Sequence, residues 1–197
     1  RQLSDVRHYR LLQSNPTINL SHQILDLTKH ALEEGWIDDN EFQFLNKKDP
    51  RTPVFYSLPK IHKRLDNPPG RPIVLSCGSL SEPLAQYVDL FLIPFVPLRK
   101  SYVRESMDMI NKIENVGFDL EHHVLCTMDI ESLYTNISQD LALEVLHLTL
   151  DSRKGPHNVP TEFLLKLAEI CLKNNFFLFK DSLYLQTKGV AMGCCFA

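Results

Sequence analysis

The sequence predicts an α+β fold, and three observations lead there. Apolar residues recur at helical spacing in separate stretches, for example Ile24, Leu27, Thr28, Ala31 and Leu32, then Phe163, Leu164, Leu167, Ile170 and Cys171. Two pairs of short β-prone runs each flank a turn, at residues 54–58 with 73–75 and at 176–179 with 183–185. Helices and strands do not alternate one for one, so a regular βαβ sheet is not expected.

Taken in order, residues 1–48 read as helical. Ser21 is a candidate N-cap, Gly35 a stop, and residues 41–45 a second short helix. Residues 49–53 form a connector with two prolines. Residues 54–58 and 73–75 read as paired strands, because Asn67-Pro68-Pro69-Gly70 is strong turn chemistry: proline presets one turn position and Gly70 can take a positive φ. The whole of 54–76 is therefore a basic hairpin or an extended loop between strands. Ser79-Leu80-Ser81-Glu82 resembles a capping box ahead of an apolar helix over 84–96, which Pro94 and Pro97 end or kink. A helix is expected over 106–116, a buried strand over 123–130, and a helix over 139–150 capped by Ser138. Residues 153–160 read as loop and 161–174 as an amphipathic helix. Residues 176–185 read as a hairpin turning at Lys180-Asp181-Ser182. Three regions follow: a helical region over 1–48, the hairpin region over 49–121, and residues 122–197.

Bulk properties restrict the function. The chain has 197 residues, 44% of them hydrophobic, which is enough for a real core. Its net charge of −3 argues against a strongly basic, histone-like binder. The distribution says more. Residues 47–71 hold seven basic side chains against two acidic ones, whereas residues 105–152 hold ten acidic against one basic. A basic block followed by an acidic one suits a polyanion held on one side and metal ions on the other; two solvated surfaces explain it equally well. The five cysteines are an odd number without a CxxC pair, which fits a reducing compartment. His122-His123-x-x-Cys126 lacks a second ligand pair at zinc-site spacing. No apolar stretch is long enough for a membrane helix, since residues 90–96 are too short and contain Pro94. The chain starts at Arg1 and stops at Ala197, directly after a glycine motif, so both ends read as cut and a fragment is expected.

Three segments carry candidate chemistry. The first is CTMDIESLY at residues 126–134, where an apolar run leads to Asp129 and an aromatic, Tyr134, follows five residues later. A carboxylate at a strand end is also an ordinary cap or turn residue. The second is LPKIHK at 58–63 with GRPIV at 70–74. It offers lysine as a point charge and arginine as a planar fork for phosphate oxygens. The third is QTKGVAMG at 186–193, whose glycines allow close backbone approach.

In this order and spacing, LPKIHK, GRPIV, TMDIESLYTNI and QTKGVAMG resemble the reverse transcriptases of Penelope-like retroelements, relatives of the telomerase catalytic subunit. The resemblance covers roughly residues 50–197. It implies the fingers and the N-terminal part of the palm of a right-hand polymerase, broken off before the second catalytic motif. The intact parent would be an RNA-directed DNA polymerase, working on an RNA template, a DNA primer and deoxynucleoside triphosphates with Mg²⁺ or Mn²⁺. Two such ions, about 3.5–4 Å apart, stabilise the attacking and leaving oxygens.

By resemblance, Asp129 is a catalytic, metal-bridging carboxylate and the Ile130 carbonyl a further metal ligand. Lys60, Arg71, Tyr134, Met192 and Gly193 meet the nucleotide, with Tyr134 crowding a ribose 2′-hydroxyl. Lys63, Arg64, Gln186 and Gly189 fall on the template side, although solvated surface is the favoured reading for the two basic residues and Gln186 is structural or near the template. Glu131 shares a face with Asp129 in an extended segment, yet the family pattern does not require a carboxylate there. Met192 stands where many relatives carry glutamine. No paired aspartate follows the glycine motif in these residues, so the chain alone is expected to be inactive. Action of such an element would finish in the nucleus. The competing expectations are a non-catalytic nucleic-acid-binding relic and an unrelated α+β interaction domain.

Overall fold

The structure is a computed structural model that describes residues 3, 5–117, 119, 121–154 and 158–195. It is α+β: seven α-helices and a five-stranded sheet among the described residues. The strands are β1 (Tyr9–Leu11), β2 (Val54–Pro59), β3 (Gly70–Leu75), β4 (Phe176–Phe179) and β5 (Ser182–Gln186), in the spatial order β1-β5-β4-β2-β3. All pairings are antiparallel except β2 with β4.

Both expected hairpins form. In the first, Val54 stands opposite Leu75 and Pro59 opposite Gly70, and the ladder continues to Lys60 N–H, which donates to Pro69 O at 2.9 Å. In the second, Lys180 takes a φ of +54° to turn β4 into β5. Aromatics hold the sheet together on one side. Phe177 is fully buried, stacked on Phe55 and Tyr184 and met edge-on by Tyr9.

The helices are α1 (Thr17–Glu33), α2 (Asp39–Leu45), α3 (Ser81–Leu92), α4 (Ser106–Asn115), α5 (Leu133–Asn136), α6 (Gln139–Asp151) and α7 (Thr161–Lys173). The main core joins α1, α2, α3, α6 and α7: Ile24, Leu84, Val88, Leu150, Phe163, Leu164 and Leu167 are almost entirely withdrawn from water. The α7 stripe read from the sequence is buried as expected, as is the Ser138 cap, whose Oγ accepts from Leu141 N–H at 3.3 Å. This core draws on all three regions of the chain.

Several expectations are corrected. The N-terminal region is not wholly helical, because Tyr9–Leu11 completes the open edge of β5 and buries Tyr9 against Phe177. Helix α1 starts at Thr17, not at Ser21; Asn15 Oδ1 accepts from Thr17 N–H at 3.0 Å and Pro16 presets the entry. Ser21 lies inside the helix and donates to Ile18 O. The Ser79–Glu82 box does not form. Glu82 instead accepts from Gly78 N–H and from Lys47 Nζ, both at 2.8 Å, and this ion pair holds its carboxyl below the ordinary range. After Leu92 the chain tightens into a 3₁₀ helix over Ile93–Leu98, because Pro94 and Pro97 supply no N–H. Of the expected 153–160 loop, residues 155–157 lie outside the described ones.

The largest correction concerns residues 123–130. They form no strand, and every one of them is exposed. Val124, Leu125, Met128 and Ile130 expose 85, 67, 96 and 66% of their surface. The apolar, β-branched composition is right for a strand, but a ladder needs a neighbour, and this segment pairs with none of the five strands.

Candidate functional site

The first hairpin has two unlike faces. Phe55 and Val74 point into the sheet core. The alternate residues Val54, Tyr56, Leu58, Arg71 and Leu75 are all exposed. Arg71 stands opposite Leu58, and Lys60 lies two residues beyond Leu58, so the pleat puts both bases at one end of this apolar, exposed face. Lys63 and Arg64 are exposed in the connecting turn, where Lys63 N–H donates to Lys60 O at 3.0 Å. None of the four takes part in an ion pair among the described residues.

The glycine motif forms a loop clamped at both ends. At one end Val190 N–H donates to Tyr134 O at 2.7 Å. Gly189 has a φ of +79°, and a Cβ there would stand 2.4 Å from Tyr134 O and 2.6 Å from the Thr135 Cα. Only glycine fits both demands. At the other end Val74 N–H donates to Met192 O at 3.2 Å, and Ser76 Oγ donates to Gly193 O at 2.9 Å. Gly193 has a φ of +124°, and a Cβ there would stand 2.6 Å from Val74 O. The glycines therefore serve close backbone packing first. The loop ties the β3 strand that carries Arg71 to the turn that carries Tyr134.

That turn has its own device. Ser132 adopts φ +53°, a left-handed conformation unusual for a residue with a Cβ, and starts α5. Asn136 Nδ2 reaches back to Glu131 O at 3.3 Å. Tyr134 is half-buried on this short helix. Met192 is half-buried and Gly193 exposed, so the loop's far end faces solvent beside β3.

Gln186 and Gly189 are buried. The Gln186 amide donates to Lys188 O at 2.9 Å and Val190 O at 3.2 Å, and its oxygen accepts from Asn175 Nδ2 at 2.9 Å. It holds the loop in shape from a buried position. A residue the motifs did not mark does similar work: Gln139, buried at the start of α6, donates to Leu172 O and to Gly189 O, each at 2.9 Å. Its only trace in the sequence is a polar residue directly after a cap, which any helix start explains.

Asp129 sits in the exposed segment just before the Ser132 turn, with Ile130 and Glu131 also exposed. Mg²⁺ requires several hard oxygen ligands in near-octahedral array. Among the described residues no group of three His, Cys, Asp or Glu side chains comes together to hold a metal ion. On this exposed segment Asp129 and the Ile130 carbonyl stand without a further cluster of ligating side chains. Backbone hydrogen bonds thus link the glycine loop to the Tyr134 turn at one end and, at the other, to β3, the strand that carries Arg71; Asp129 lies outside any ligand cluster among the described residues.

No protein-family model, no curated protein and no solved structure matches the chain. Among the described residues no helix is long and apolar enough to cross a membrane.

Proposed function

We propose that this chain is the nucleotide- and template-handling part of an RNA-directed DNA polymerase of the Penelope-like type, comprising fingers and the first part of the palm. The observation that carries the reading is the clamped glycine loop. Three segments far apart in sequence, singled out for their chemistry, meet through Val190–Tyr134 and Met192–Val74 hydrogen bonds. Accidental motifs have no reason to share one backbone junction.

In this reading Arg71 and Lys60 take triphosphate oxygens, and the apolar residues between them and the sheet end accept base faces. Tyr134 crowds the sugar, and the loop from Met192 to Gly193 forms the floor under the base pair. Lys63 and Arg64 add phosphate contacts along the template. Asp129 would supply one carboxylate of a metal site that positions the triphosphate. Because the described residues do not complete that site, the chain as it stands binds a primed template and extends it poorly or not at all.

The test is fluorescence anisotropy of a labelled RNA template with a DNA primer, titrated at several salt concentrations. The expected outcome is binding that weakens linearly in log–log form as salt rises, with Asp129→Ala binding as well as the wild type. Binding that ignores salt, or no binding, contradicts the proposal. The exposed, unclustered position of Asp129 also favours a second reading, a non-catalytic nucleic-acid-binding relic. Primer extension by a longer chain carrying these residues separates the two, since the relic extends nothing with or without Asp129.

A further inference from the structure

The buried Gln139 amide is the feature that the proposed reaction does not use, and its geometry is specific. Both of its partners, Leu172 O and Gly189 O, are carbonyls 2.9 Å from Nε2. A carbonyl only accepts, so the NH₂ group must face them, and both of its hydrogens are engaged. One bond anchors the amide to the C-terminal end of α7, in the main core. The other holds the peptide between Gly189 and Val190, whose N–H is in turn bound by Tyr134 O at 2.7 Å. The two bonds grip one peptide group from its two ends. Gly189 completes the arrangement by lying against Tyr134 O and Thr135 more closely than any Cβ could.

From this we infer that Gln139 is a positioning residue that sets the height of the Tyr134 ring over the nucleotide sugar, and so governs the choice between deoxyribose and ribose. The inference rests on the polymerase reading of Tyr134. Gln139 touches no substrate and acts through the Gly189–Val190 peptide. Tyr134 sits on a helix of only four residues, entered through a left-handed Ser132, and that helix is too short to fix the ring by itself. The anchor must come from outside, and the glycine loop held by Gln139 supplies it.

The experiment compares wild type with Gln139→Leu, which keeps the bulk and removes both donors, and with Gln139→His, which keeps one. Isothermal titration calorimetry measures the affinity for dATP and for ATP, each with MgCl₂ and a primed RNA whose next templating base is uridine. The expected result is a wild-type preference for dATP that falls about tenfold in Gln139→Leu and by less in Gln139→His. A general loosening weakens both nucleotides alike and leaves the ratio unchanged, so an unchanged ratio overturns the inference while the polymerase reading stands. Absence of nucleotide binding by the wild type overturns that reading and the inference with it. Amide hydrogen exchange supplies an arm that needs no nucleotide: Val190 is expected to exchange at least about tenfold faster in Gln139→Leu while Phe177 in the sheet is unchanged. Equal protection of Val190 in both proteins overturns the lock itself.

Discussion

Helix α7 and the segment over residues 122–130 have similarly apolar sequences and opposite fates. In α7, Phe163, Leu164, Leu167 and Ala168 are at most 1% exposed, whereas Val124, Leu125, Met128 and Ile130 expose two thirds of their surface or more. The difference lies in how each satisfies its backbone. A helix closes its own hydrogen bonds and needs only a face to bury, which α3 and α6 provide. A strand needs a neighbour's edge. The outer edge of β3 is already defended: Pro72 has no N–H to offer and Val74 N–H is taken by Met192 O. Hydrophobicity decides that a segment prefers burial, and an available partner decides whether it gets there.

The contrast can be broken at its extremes. Phe177→Ala removes a ring that touches three other aromatics and is expected to cost about 3–5 kcal/mol in chemical denaturation. Met128→Ala, at a side chain 96% exposed, is expected to change stability by less than about 0.5 kcal/mol. Equal losses would show that residues 122–130 are packed in solution.

Two glycines sharpen the comparison. Gly189 and Gly35 both have positive φ, +79° and +69°, but a Cβ at Gly35 meets nothing within 4 Å, whereas at Gly189 it strikes Tyr134 O. Alanine is therefore expected to cost about 1 kcal/mol at Gly35, from the left-handed backbone alone, and about 2–3 kcal/mol at Gly189. Urea denaturation of the two variants side by side measures the difference, which is the contribution of the clamp.

Charge provides a smaller effect. Arg71→Ala is expected to reduce the salt slope of primed-template binding by about one unit, because one phosphate contact is lost. Glu144→Ala on α6 serves as the control and should leave that slope unchanged. If the two variants behave alike, the hairpin face does not meet the polyanion.

A pH-dependent effect is expected at Glu82. Lys47 and the Gly78 N–H depress its carboxyl pKa in the folded state, so its contribution is present at neutral pH and lost as pH falls through that lowered value. Glu82→Gln is expected to lower stability at pH 7 by about 1 kcal/mol and to flatten this part of the acid dependence, as followed by thermal melts between pH 2 and 7.

How much of this was legible in the sequence follows from the same physics. The Lys180 turn, the Ser138 cap and the α7 stripe are local signals, and the corresponding elements formed where expected; in the first hairpin the positive φ falls on Asn67, while Gly70 already belongs to β3 opposite Pro59. Strand β1 and the failure of residues 123–130 to pair are decisions made by distant edges, which no local window contains. For the site, motif order marked the segments but not the contacts that support them. The glycines read as room for a ligand, and their first use is contact with Tyr134 O and Val74 O. Gln139 was invisible because its two partners lie 33 and 50 residues away.

The most direct test of the central claim, that hairpin, Tyr134 turn and glycine loop form one nucleotide site, is photoaffinity labelling with 8-azido-dATP on a primed RNA template, mapped by peptide mass spectrometry. Adducts are expected on peptides containing Lys60 to Arg71, Tyr134, and Met192 to Gly193, suppressed by excess dATP. Competable adducts confined to α4 or to residues 122–128, with none at those three places, would contradict it.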